Sequence, residues 1–202
     1  MKNKLSIVIY NFGAAILLSL WGTILLSWPI LLVMMIAQRT NKLIHLSLFG
    51  ALKNYSQLMS YLINPVSDKL QMSDLQSSLN GLIHFKDCKN LFSIALMLGC
   101  IWLFIFLYFE IWKKKKIVSL PHSYTICLLL LPLIVVPFSM GNFTNLFILF
   151  HRAIFTNKNW LFNPDTDPII LILTEEFFAA CSATFLLIYE LYFVRLLIKK
   201  GR

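Results

Sequence analysis

No charged residue occurs from position 5 to position 38, and Lys2 and Lys4 stand just ahead of that run. A helical membrane span needs roughly 20 apolar residues, so the run holds one span and an excess, which Pro29 divides. The pattern predicts a first span over about residues 5–28, then an apolar segment over 29–37 lying shallowly in the outer leaflet. A second span is expected over about 91–110, closed by Trp112 and the lysines at 113–116. A third covers about 121–140, with Pro121, Pro132 and Pro137 in or beside it. Prolines are tolerated there when neighbouring helices satisfy the freed carbonyls. The fourth covers about 175–198, where Glu175 and Glu176 occupy the first turn and suit the helix dipole.

The two remaining stretches, about 38–90 and 142–172, are more polar. Leu43, Leu46, Phe49, Leu52, Leu58 and Leu62 recur at helical spacing, with Arg39, Lys42, Lys53 and Gln57 between them. That alternation predicts one or two amphipathic interfacial helices. Ser73 with Gln76 has the spacing of a capping box, and Asn80-Gly81 reads as the stop of the short helix it would open. Lys2, Lys4, the four-lysine loop and the basic C-terminal cluster fall on one side of this arrangement, so both termini are expected to be cytoplasmic. The fold class is therefore an all-α integral membrane protein, one membrane domain over 1–202. Its four transmembrane helices carry an outward-facing cap of short interfacial helices and loops.

Composition agrees. Of the 202 residues 58% are hydrophobic and 13% charged, against about 25% charged in soluble domains, and the mean hydropathy is +0.74. The net charge of +9 sits at the ends of apolar runs, where it sets topology and meets headgroups, so nucleic acid is excluded as a partner. Cys88, Cys100, Cys127 and Cys181 are scattered without a C-x-x-C, which gives neither a disulfide framework nor a metal site. The first run is too long for the core of a signal peptide.

Two constellations could carry chemistry. His84, Asp87, Cys88 and Lys89 stand at the mouth of the second span, and on a helix the first three would share a face. His151 and Arg152 open a second group that continues through Asn157, Trp160, Asn163, Asp165 and Asp167. Imidazole suits proton transfer near neutral pH, and two of them on one interface could act as base and acid, or as base and oxyanion donor. The blander reading of each histidine is a polar tip at the headgroups. Cys88 could be a thiol nucleophile or a packed residue. Asn163, Asp165 and Asp167 mimic the start of a calcium loop, but the glycine is missing and an Asx-type turn is the better reading. Glu110 and Glu190 are expected to pair with nearby lysines, His45 and His122 to be interfacial, and Trp160 to anchor at the interface or line a lipid groove.

The stretch His84-Phe85-Lys86-Asp87-Cys88-Lys89, and the longer one from Phe150-His151 through Asn157 and Trp160-Leu161-Phe162-Asn163-Pro164 to Asp167-Pro168-Ile169-Ile170, resemble the two signatures of the lipoprotein intramolecular transacylase family, Lit. Asn54-Tyr55 and Tyr61-Leu62 are similar to a third segment of that family. Cys88 stands where the family usually has valine and Asn163 where aspartate is common, which argues against an essential thiol and against a carboxylate role at 163. The resemblance implies an enzyme of the bacterial cytoplasmic membrane with its site on the outer face. It would move the sn-2 acyl chain of a diacylglyceryl-cysteine lipoprotein onto the N-terminal amine, leaving the lyso form. Its implied catalytic residues are His84 and His151, supported by Asp87, Lys89, Tyr55, Arg152, Asn157, Trp160 and Asp167. No cofactor or metal is implied, the partners are lipoproteins and membrane lipids, and the protein is expected to be a monomer. The alternative is a non-catalytic membrane protein that binds lipid or lipoprotein on the outer face.

Overall fold

The computed structural model describes residues 4–113, 118, 120–132 and 143–200, and every regular element among them is helical. In order these are α1 (Lys4–Gln38), a 3-10 turn (Thr40–Lys42), α2 (Leu48–Ile63), α3 (Leu79–Phe106) continued by a π-helical turn (Leu107–Trp112), α4 (His122–Leu130), α5 (Phe143–Ile154), a second 3-10 turn (Pro168–Leu171) and α6 (Glu175–Lys200). Three stretches, Lys4–Gln38, Leu79–Trp112 and Glu175–Ile198, are long and apolar enough to cross a bilayer. α4 covers the start of the span expected over 121–140, and residues 133–140 lie outside the described residues.

The helix does not break at Pro29. α1 runs through it for 35 residues, about 52 Å at 1.5 Å per residue. Proline leaves one carbonyl, that of Leu25, without its helical donor. A break would expose several backbone groups where lipid offers no partner, so continuing the helix is the cheaper course. Residues 29–37 are thus the last turns of α1, with Leu31 and Met35 buried and Val33 and Ile36 exposed.

The chain divides into two compact units. The first comprises residues 1–25, 97–141 and 182–202. Ala15, Leu120, Tyr189, Phe193 and Leu196 form its core. Burial of apolar area drives little association in lipid, so close packing and interhelical hydrogen bonds do the joining. Tyr192 donates to Asn11 Oδ1 at 2.7 Å, and Tyr189 donates to the Leu128 carbonyl at 2.9 Å. A Cβ on Gly22 would fall 2.7 Å from Ile188 Cδ1, which leaves room for hydrogen alone. Glu110 accepts the Val118 amide at 2.9 Å; the lysines at 114–116 it is expected to meet lie outside the described residues.

The second unit comprises residues 26–96 and 142–181. α2 is amphipathic, but its buried face follows the leucine spacing only in part. Leu58 and Leu62 are buried beside Ala51 and Tyr55, whereas Phe49 is exposed and Leu43 and Leu46 precede the helix. Ser47 is its N-cap, accepting from the Gly50 amide. Asn54, fully buried on the same face, donates to Asp74 Oδ2 at 2.8 Å and accepts from the Asp74 amide at 3.0 Å. Gln57 accepts from the Ser73 amide at 2.8 Å. The capping box thus does not form: Gln57 takes the Ser73 amide that Gln76 would cap, and Gln76 donates to the Asp165 carbonyl. The expected short helix is therefore absent among the described residues, and Asn80-Gly81 lies in the first turn of α3 instead of ending anything.

Candidate active site

Both histidines stand on helices within the second unit. The start of α3 fixes the first. Ser78 is its N-cap, with Oγ accepting from the Gly81 amide at 3.0 Å. In a capping box a carboxylate three residues on returns the favour to the cap's own N–H. Here Asp167 does so from 89 positions away, accepting from the Ser78 amide at 2.7 Å. Its other oxygen accepts from Thr166 Oγ1 at 2.8 Å, and the side chain is 2% exposed. The loop that supplies it is ordered by the expected Asx turn, Asn163 Oδ1 accepting from the Asp165 amide at 3.0 Å. α3 therefore begins at Leu79, twelve residues before the predicted second span, and this brings His84 and Asp87 onto one helical surface.

α5 carries His151 in its last turn. Residues 143–154 were expected as part of a polar stretch, yet they form an apolar helix with His151 buried and Arg152 exposed at its end. The two imidazole centroids are 5.8 Å apart, the rings tilted by 39°. Phe155, one turn beyond His151, lies 4.8 Å from His84 and 5.6 Å from His151. Phe162 stands 5.5 Å from His84, while Phe147 and Trp160 flank His151 at 4.0 and 4.9 Å. The pair is enclosed by aromatic rings, and each histidine is less than 9% exposed.

The hydrogen bonds distinguish the two rings. His151 Nδ1 lies 2.8 Å from the Phe147 carbonyl, which can only accept, so Nδ1 carries the hydrogen and Nε2 keeps its lone pair. Burial pushes the His151 imidazole below its ordinary range, and the bond to Phe147 opposes part of that. His84 Nε2 lies 3.5 Å from Cys88 Sγ, and its Nδ1 is buried without a hydrogen-bond partner among the described residues. A buried polar atom left in this state is costly.

The direction of the His151 shift is measurable. In protein with labelled histidine rings, assigned through His151→Gln, the His151 resonance is expected to titrate below about 6.5, the value of a free imidazole. Trp160→Ala removes one wall of the enclosure and is expected to move that midpoint up. A midpoint at or above the free value in the intact protein would contradict the burial argument.

The other sequence-flagged residues take scaffold positions. Asn157 Nδ2 donates to Asp87 Oδ2 at 2.9 Å, tying the second loop to α3, and Trp160 Nε1 donates to the Asn157 carbonyl at 3.1 Å. Trp160 is 9% exposed, so it buttresses His151 instead of standing in the interface as an anchor. Lys89 is nearly buried, bonded to the Ser67 carbonyl and 4.5 Å over the Tyr61 ring. Tyr55 donates to Ser27 at 2.6 Å and meets Trp28 and Phe177 edge-on. Arg152 has no partner among the described residues, at a helix C-terminus where carbonyls favour a cation. Phe147 and Phe155 join the site without belonging to either polar constellation. Their positions four residues either side of His151 were a visible signal, since i±4 neighbours share a helix face.

Residues 5–178 match the family described as lipoprotein intramolecular transacylase Lit. Among solved structures, the membrane-integral lipoprotein intramolecular transacylase Lit from Bacillus cereus is similar at 26% identity, covering 98% of this chain and 95% of that one with a TM-score of 0.83. Structures of that protein with a histidine replaced by arginine or by alanine match at 25% and 26% identity, covering 98% of this chain and 93% of theirs, with TM-scores of 0.73 and 0.68. No curated protein matches. A match over that length, with two imidazoles facing each other inside an aromatic enclosure, assigns the chain to the lipoprotein intramolecular transacylase family.

Proposed function

We propose that the enzyme transfers the sn-2 acyl chain of a diacylglyceryl-cysteine lipoprotein to that cysteine's own α-amine, with His151 as base and His84 as oxyanion partner. The observation that carries this reading is the 5.8 Å separation of two buried imidazoles with unlike hydrogen bonding. The amine, once its ammonium proton has passed to water, attacks the ester carbonyl through its lone pair and the N–C bond forms. His151 Nε2, held as the lone-pair nitrogen by Phe147, takes the proton the nitrogen sheds. With the Cys88 thiol donating to His84 Nε2, His84 Nδ1 bears the hydrogen and donates to the oxyanion. The C–O bond then breaks, and the glyceryl oxygen receives the proton from His151. The products are an amide and a free glyceryl hydroxyl, so neither an external acyl donor nor an acyl-enzyme is required. Amine and ester belong to one molecule, and the aromatic enclosure serves to hold them in a near-attack geometry.

The same reading places the site on the outer face of a bacterial cytoplasmic membrane, with both termini inside and a fourth span over about 121–140. It rests on the basic residues at the ends of the apolar runs. A monomer suffices for this scheme, in which one chain supplies both imidazoles and the residues around them.

The test is conversion of a synthetic diacylglyceryl lipopeptide by purified protein with no added donor, read by mass spectrometry as movement of one acyl chain from oxygen to nitrogen. Unchanged mass with a rearranged fragmentation pattern is expected. Persistence of the starting lipopeptide would favour the non-catalytic binding protein. Cys88→Val is expected to lower the rate severalfold without abolishing it, because the thiol sets the His84 tautomer and is not the nucleophile. Loss of all activity there would return a thiol mechanism to consideration.

A further inference from the structure

The reaction needs its amine delivered, and an N-terminal amine arrives largely as ammonium, with a pKa near about 8. Neither imidazole is suited to attract a cation. Asp87 is the carboxylate beside them, one turn along α3 from His84. Its Oδ2 accepts from Asn157, and among the described residues no cation pairs with it. The side chain is half-buried and lines a cavity of about 180 Å³ whose wall includes Phe155. Phe155 also lies 4.8 Å from His84 and 5.6 Å from His151, so one side chain borders both this hollow and the reacting pair. The other polar residues around it, Asn90, Thr156 and Asn157, are neutral, and Leu91 and Ile154 complete the lining.

From this placement we infer that Asp87 is the substrate-binding group for the α-ammonium, holding it beside Phe155 until its extra proton is lost to water and the amine is free to attack, while the Asn157 bond fixes the carboxylate's direction. A charge-assisted bond of this kind gives both attraction and orientation. It also makes the site selective for lipoproteins whose terminal amine is still free, because an acylated amine offers no cation to Asp87. The inference rests on the transacylase reading above.

Equilibrium binding of two unreactive lipopeptides tests it. Both carry ether-linked chains that cannot transfer. One has a free α-amine, and in the other hydrogen replaces the amine. The intact protein is expected to prefer the amine by about tenfold or more, the usual scale of a charged hydrogen bond. Asp87→Asn keeps a carbonyl oxygen for Asn157 and loses the charge, so the preference should fall to about one while the des-amino ligand binds as before. Asn157→Ala loosens the loop and keeps the carboxylate, so the preference should survive. An unchanged preference in Asp87→Asn would overturn the inference. So would equal weakening of both ligands, or loss of the preference in Asn157→Ala as complete as in Asp87→Asn. These ligands report on Asp87 whether or not the diester lipopeptide is converted, so failure of the transacylase reading shows up separately, in the mass-spectrometric assay.

Discussion

Replacing His151 by glutamine is expected to lower the rate of acyl transfer by about a hundredfold or more, the range seen when a general base is lost, while the protein stays folded. Glutamine is the informative choice. Its amide can still donate to the Phe147 carbonyl, which His151 Nδ1 now does at 2.8 Å, and its stem still occupies the space between Phe147 and Trp160. It cannot take up a proton near neutral pH. His84→Gln removes the Nδ1 donor and should cost a similar factor, since loss of one oxyanion donor costs about a hundredfold to a thousandfold. The double variant should be little worse than either single one, because both rings act on the same tetrahedral intermediate. The measurement is initial rate on the diacylglyceryl lipopeptide, with helix content and thermal midpoint followed in parallel. Normal rates in either single variant would remove that ring from the mechanism.

That both histidines fall in the segments between apolar runs was legible, but that their rings meet at 5.8 Å was not, because spacing along the chain does not show contact between segments. The periodicity of α2 was legible in part: Leu58 and Leu62 are buried as the spacing predicts, while Phe49 on the same stripe is exposed. What local rules could not supply was the start of α3. Asn80-Gly81 has the chemistry of a helix stop, and it is read as one when only its neighbours are considered. The cap that reverses that reading comes from Asp167, and nothing within a turn of Ser78 announces it. The same holds for Ser73, whose amide is taken by Gln57 in α2. Pro29 failed for a different reason. Its power to end a helix depends on water being there to receive the freed groups, and an apolar chain in lipid has none. The aromatic enclosure lies between these cases, because Phe147 and Phe155 were readable as neighbours of His151 but not as neighbours of His84.

Gly81→Ala is expected to destabilise the protein and impair transfer, although alanine in a helix normally gains about 0.5–1 kcal/mol over glycine. A Cβ at this position would overlap Asp167 Oδ1 and approach Phe162 Cε1 to 3.1 Å. A flexible carboxylate could swing away cheaply, but this one is pinned. Oδ1 accepts from the Ser78 amide and Oδ2 from Thr166, with only 2% of the residue exposed. Moving it strands a buried amide, which costs about 1–3 kcal/mol. The displaced Phe162 ring lies 5.5 Å from His84 and 5.2 Å from Phe85, so the damage reaches the site. A double-variant cycle isolates the cause. Asp167→Ala alone should cost a similar amount through the lost cap. Adding Gly81→Ala to it should then cost little or nothing, because the obstructing oxygen has gone, and the two penalties will not sum. Thermal midpoints and lipopeptide rates of the four proteins read this directly. Additive penalties would mean that Gly81 is there for some reason other than the carboxylate that reaches across from the second loop.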